Sequence, residues 1–114
     1  MDMRAAYESV GADYDDVLKR LTSDALVERF AKKFLQDESF AKLKAAVEAG
    51  DAEAGFLAAH TLKGICQNLG LSNLTGPAVQ ICEELRGAQT VGRAPELLPS
   101  VEEQYNKIVA AFSE

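Results

Sequence analysis

Apolar residues along this chain recur at intervals of three and four, not two, which is the spacing of one helix face. Ala, Leu, Glu and Lys dominate, and no run is rich in β-branched residues, so the pattern predicts an all-helical protein. The predicted helices are seven. The first runs from about Asp2 to Val10 and stops at Gly11. The second follows the N-cap Asp13 and carries Tyr14, Val17, Leu18 and Leu21. The third starts near Ser23, with Val27, Phe30, Ala31 and Phe34 on one stripe. The fourth follows Asp37 or Ser39, carries Phe40, Leu43 and Val47, and ends at Gly50. The fifth follows the N-cap Asp51 and runs to about Leu69, with Gly70 as its C-cap. The sixth covers about Ser72 to Arg86, with Leu74, Ala78, Ile81, Cys82 and Leu85 inward. After a loop at about Ala88 to Ala94, the last helix opens near Pro95 and carries Val101, Tyr105, Ile108, Val109 and Phe112. Pro99, lacking an N–H, is expected in its first turn or at a kink.

Short connections favour antiparallel neighbours. The expected architecture is therefore an antiparallel up-down-up-down four-helix bundle over about residues 38–113, with short N-terminal helices over about 2–36 flanking one end. At 114 residues the chain is expected to form one domain, 1–114, since a second would leave too little for two cores.

Composition narrows the chemistry. Twelve Lys+Arg against eighteen Asp+Glu give a formal net charge of −6, which argues against a nucleic-acid partner. No segment approaches the roughly 18 apolar residues that span a bilayer, and the N-terminal segment lacks the apolar core of a signal peptide. A cytoplasmic protein with no membrane partner is expected. Cys66 and Cys82 are expected as reduced, buried thiols. One histidine and two cysteines cannot alone make a two-Cys, two-His zinc site. A haem bundle would need a core-facing His or Met, and the methionines are only Met1 and Met3.

The fifth helix carries more than a bundle needs. At about 100° per residue, Ala58, Ile65, Leu69, Leu62, Gly55 and Cys66 form the core stripe. The opposite side holds the single histidine, His60, with Glu53, Gly64, Leu57, Gln67, Phe56 and Lys63. Gly64 sits one turn beyond His60, where glycine costs about 1 kcal/mol relative to Ala, and a bare backbone there lets another surface approach the imidazole. Phe56, Leu57 and Glu53 are candidate docking residues around that centre. Lys63 offers a cation to negative charge on the ring, and Gln67 a hydrogen bond to the ring or to a phosphoryl oxygen.

An imidazole in water titrates near about 6.5, so at neutral pH it is largely an uncharged nucleophile able to take a phosphoryl group. The chain offers no adjacent Ser or Cys nucleophile, no carboxylate placed to orient a base, and no phosphate-binding glycine loop. A phosphoryl donor would have to bring its own electrophile and metal, which indicates a carrier rather than an enzyme.

The run His60-Thr61-Leu62-Lys63-Gly64-Ile65-Cys66-Gln67-Asn68-Leu69-Gly70-Leu71, preceded by Ala59, resembles the H-x-L-K-G-x4-L-G signature of histidine-containing phosphotransfer domains. The resemblance implies that His60 accepts a phosphoryl group from a receiver-domain aspartyl phosphate and passes it to another receiver aspartate. It implies Lys63 as the positive neighbour and Gly64 as the position of close approach. It implies no cofactor in this chain, with Mg2+ on the receiver. The expected partners are receiver domains of response regulators or hybrid histidine kinases, met by a monomer. Ile65, Cys66 and Gln67 are larger than is usual for the signature; Ile65 and Cys66 lie on the core side and are expected as packing variants, while Gln67 lies on the His60 face and bears on receiver choice. The competing expectation is a helical module that docks a receiver or kinase without phosphotransfer.

Overall fold

The computed structural model describes residues 2–113; Met1 and Glu114, the two ends of the expected 1–114 domain, lie outside the described residues. The described residues form seven helices: α1 (Met3–Val10), α2 (Tyr14–Leu21), α3 (Asp24–Phe34), α4 (Ser39–Ala49), α5 (Ala52–Leu69), α6 (Ser72–Leu85) and α7 (Ala94–Phe112). Their ends follow from side-chain capping. Asp2, Asp13, Ser23 and Asp51 each accept the backbone N–H three residues on, and Gly11, Gly50 and Gly70 close α1, α4 and α5 in the left-handed region.

Helices α4 to α7 make the bundle. α4 packs on α5, α5 on α6, α6 on α7, and α7 returns to α4. Two-residue links from α4 to α5 and from α5 to α6 force those neighbours antiparallel. A Lys44–Glu102 ion pair of 2.9 Å and stacking of Phe40 on Tyr105, 4.5 Å between ring centres, tie α4 to α7. Gly55 belongs to this packing: a Cβ there would lie 3.1 Å from Leu85 Cδ1 and 3.7 Å from Ala46 Cβ.

The inward residues expected of α6 are all buried. Two apolar residues depart from expectation. Phe30 of α3 is 38% exposed, at the edge of its stripe, and Ile65 of α5 is half-buried. Both line a cleft between α3 and α5 instead of the bundle interior. Pro99 stands beyond the first turn of α7, which continues through it to Phe112.

The short N-terminal helices close the C-terminal end of α5. The last carbonyls of a helix lack intrahelical donors. Here Arg20 Nη1 donates to the Asn68 carbonyl at 3.1 Å, the Tyr7 hydroxyl to that of Leu69 at 2.7 Å, and the Asp13 N–H to that of Gly70 at 2.8 Å. Tyr7 is buried between Tyr14 and Phe112, so its hydroxyl is fixed by packing. Gly70 has a φ of 65°, and a Cβ on it would meet the Asp13 carbonyl oxygen at 2.6 Å. The glycine is thus required twice, by backbone conformation and by the crossing of α2.

Tyr7→Phe keeps the ring packing and removes only the donor to Leu69. It is expected to cost about 1–2 kcal/mol in urea unfolding, since a buried carbonyl loses its partner. A second expectation concerns alkaline pH. Burial pushes the Tyr7 hydroxyl above its ordinary value, and burial, followed by the negative charge of Asp37, pushes the Cys66 thiol up to about 12. The folded chain therefore holds protons that the unfolded chain has begun to release, so stability falls as pH rises above the ordinary thiol value of about 9. Thermal unfolding followed by circular dichroism should show Tm declining above that pH, and Cys66→Ser or Cys66→Ala should flatten part of the decline.

Candidate functional site

Helix α5 presents two faces. Ala52, Gly55, Ala58, Ala59, Leu62, Cys66 and Leu69 are buried in the bundle, and His60 stands exposed on the other side. The expected core stripe is thus in place apart from the half-burial of Ile65, and Ala59 joins it. The His60 ring makes no hydrogen bond and no ion pair among the described residues. Its one ring contact is Phe56, 5.6 Å away between centres and tilted by 46°. An imidazole without a polar partner keeps the lone pair of one nitrogen available.

Around it the expected residues divide. Gly64, one turn on, faces open space: a Cβ at this position meets nothing within 4 Å. Lys63 is half-buried and turned towards α6, where its charge lowers the pKa of Glu83 and of Cys82, although burial leaves the Cys82 thiol raised overall. Leu57 is 60% exposed and borders an open groove of about 590 Å³ between α4 and α5, walled by Ala45, Ala49 and Ala54. Glu53 is exposed at the start of α5. Phe56 is half-buried and packed on the core. Gln67 makes no hydrogen bond to His60; it lines a polar crevice with Asp16, Arg20, Thr75 and Gly76, where α2 and α6 meet α5.

Two residues at the end of α6 complete the surroundings and were not expected. The Arg86 guanidinium lies over the Phe56 ring, 5.0 Å from its centre. Glu83 holds it through Nε, at 3.3 and 3.2 Å to the two carboxylate oxygens, and through Nη2 at 3.1 Å. The Arg86 hydrogen bonds, with the charges of Arg86 and Lys63, hold the Glu83 carboxyl below its ordinary value. In sequence, Glu83 and Arg86 look like an ordinary surface pair three residues apart, and nothing marks them as neighbours of Phe56.

Among the described residues no group of three or more His, Cys, Asp or Glu is arranged to hold a metal ion. No described helix is long and apolar enough to cross a membrane.

No curated protein matches the chain. The crystal structure of histidine-containing phosphotransfer protein B (HptB) from Pseudomonas aeruginosa PAO1 is similar to it, with 28% sequence identity and a TM-score of 0.76 over 90% of each chain. The Hpt domain model matches residues 29–111, from α3 to the last turn of α7, and leaves α1 and α2 outside. That match covers nearly all of the bundle and the exposed histidine on the outer side of α5, and on it the chain belongs to the Hpt domain family, phosphocarriers of phosphorelays rather than enzymes.

Proposed function

We propose that His60 is the phosphoacceptor of a relay in which a receiver-domain aspartyl phosphate is the donor and a second receiver aspartate the acceptor. In the loading step the lone pair of one imidazole nitrogen forms the N–P bond. The P–O bond to the donor aspartate breaks, and its electron pair leaves with the carboxylate. Unloading is the reverse displacement, with the acceptor carboxylate as nucleophile. A phosphoryl transfer of this kind needs positioning and charge neutralisation more than covalent help. Mg2+ and the acidic pocket belong, in this reading, to the receiver of a response regulator or hybrid histidine kinase.

The observation that carries the reading is the pairing of an exposed, unpartnered His60 with a Gly64 whose missing Cβ leaves open space. Lys63 is assigned to neutralise the transferring phosphoryl group. Phe56, Leu57 and Glu53 are assigned to receiver docking, and Gln67 to receiver choice from the crevice it lines. The protein works as a cytoplasmic monomer, each copy carrying one acceptor.

Incubation with a Mg2+-loaded, phosphorylated receiver should place acid-labile, base-stable phosphate on the wild type and none on His60→Gln. Label that survives His60→Gln, or no label from any receiver of the same genome, overturns the reading; docking without label leaves the module that only binds. Gly64→Ala separates folding from transfer. It should stabilise the domain by about 0.5–1 kcal/mol in urea unfolding, as Ala favours helix and its methyl meets nothing. It should also slow transfer by about ten- to a hundredfold in rapid-quench measurements, since the receiver is held off by a methyl.

A further inference from the structure

We propose that Arg86 is a second phosphoryl-binding cation, held on Glu83 while His60 is bare and released to the phosphoryl group once His60 is loaded. The inference rests on His60 being the phosphoacceptor and assigns a residue outside the signature to the same site.

The geometry is a short chain of contacts. Phe56 touches the His60 ring at 5.6 Å and carries the Arg86 guanidinium at 5.0 Å. One aromatic ring therefore spans the gap between acceptor and cation, and an arginine stem sliding across that ring face brings its fork to a group attached to the imidazole. Among the described residues Arg86 is held by Glu83 and Phe56 alone, and the side chains of Arg86 and Glu83 are 49% and 55% exposed. Exposed pairs of this type hold weakly. Their hydrogen bonds, at 3.1 to 3.3 Å, are also longer than the charge-assisted bonds that guanidinium makes at its best.

A phosphoryl group on His60 introduces close to two negative charges and three acceptor oxygens, a better match for the guanidinium fork than one solvated carboxylate. Glu83 sits where it can hold the cation in waiting. Its carboxyl is kept ionised below the ordinary range by Arg86 first and Lys63 as well, so it competes with a phosphoryl group for both cations. Lys63 comes from α5 and Arg86 from the end of α6, so the two cations approach the imidazole from different elements.

The test loads wild type, Arg86→Gln, Glu83→Gln and the double variant with phosphoramidate or a phosphorylated receiver, and follows the phosphoryl titration by phosphorus NMR. Arg86→Gln should raise the phosphoryl pKa by about half a pH unit, since a cation no longer favours the dianion. Glu83→Gln should lower it by a similar amount in the presence of Arg86. In the Arg86→Gln background the same Glu83→Gln change should have a clearly smaller effect, because there is no guanidinium to release. Arg86→Lys should restore part of the wild-type value. Strictly additive shifts, or an Arg86→Gln value equal to wild type on a loaded His60, overturn the inference and leave the phosphoacceptor standing. A His60 that neither donor loads overturns the phosphoacceptor reading and this inference with it.

Discussion

The C-terminal end of α5 is the constraint on which the rest of the structure depends. A helix that buries one face in a bundle still has carbonyls at its end that the bundle does not reach. In this chain those carbonyls are met from outside the bundle, by Arg20, by the Tyr7 hydroxyl and by the Asp13 N–H. That gives α1 and α2 a structural purpose, although they lie outside the segment matched by the family model. It also fixes the axis of α5. Tyr7 is locked by Tyr14 and Phe112, so the N-terminal helices, the last helix and the signature helix share one joint. The exposed histidine stands on a rod held at both ends, by the Asp51 cap at one and by this joint at the other.

Much of this is legible in the sequence. Helix starts at Asp13, Ser23 and Asp51 and stops at Gly11, Gly50 and Gly70 are written in residues whose backbone chemistry is local. The 3.6-residue period is a property of α5 alone, so His60 could be set outward and Leu62 inward from sequence. The bundle neighbours follow from the short links, but individual residues at the contacts between helices do not. Ile65 fits the core stripe by angle, yet α3 passes beside it instead of covering it, and the residue stays half-buried. Phe30 fails as a core residue for the same reason. Arg86 lies far from His60 in sequence, and only the packing of α6 on α5 brings its guanidinium over Phe56. Gln67 shares the angular sector of His60 two turns on, and only the packing of α2 and α6 shows that it lines the crevice between them.

Net charge proved a poor guide to the site. The chain is acidic, with a formal charge of −6. Around His60 the balance differs: Lys63 and Arg86 share Glu83 of α6 as counter-ion, and Glu53 is the acid that α5 itself contributes. Ionic interactions between exposed groups fade over a Debye length of about 8 Å at physiological salt. The immediate neighbours of the imidazole therefore decide what approaches it over the last few ångströms, while the acidic remainder sets solubility and discourages polyanions.

The glycines of the bundle carry the last step. Gly55, Gly64 and Gly76 all sit inside helices, where each costs about 1 kcal/mol relative to Ala, so each needs a compensating cause. Gly55 has one inside the chain, because the side chains of Leu85 and Ala46 occupy the space a Cβ would need. Gly76 has another. It precedes Pro77 in α6, and the proline ring crowds the Cβ of a helical residue before it. Gly64 has neither: Ile65 follows it, its φ is not left-handed, and among the described residues no atom beyond its own stretch of helix lies within 4 Å of the missing methyl. Folding of this chain alone gives no reason for glycine at that position. In the proposed relay the compensating interaction is made with the receiver, at a distance where one methyl group matters, one helical turn from the histidine.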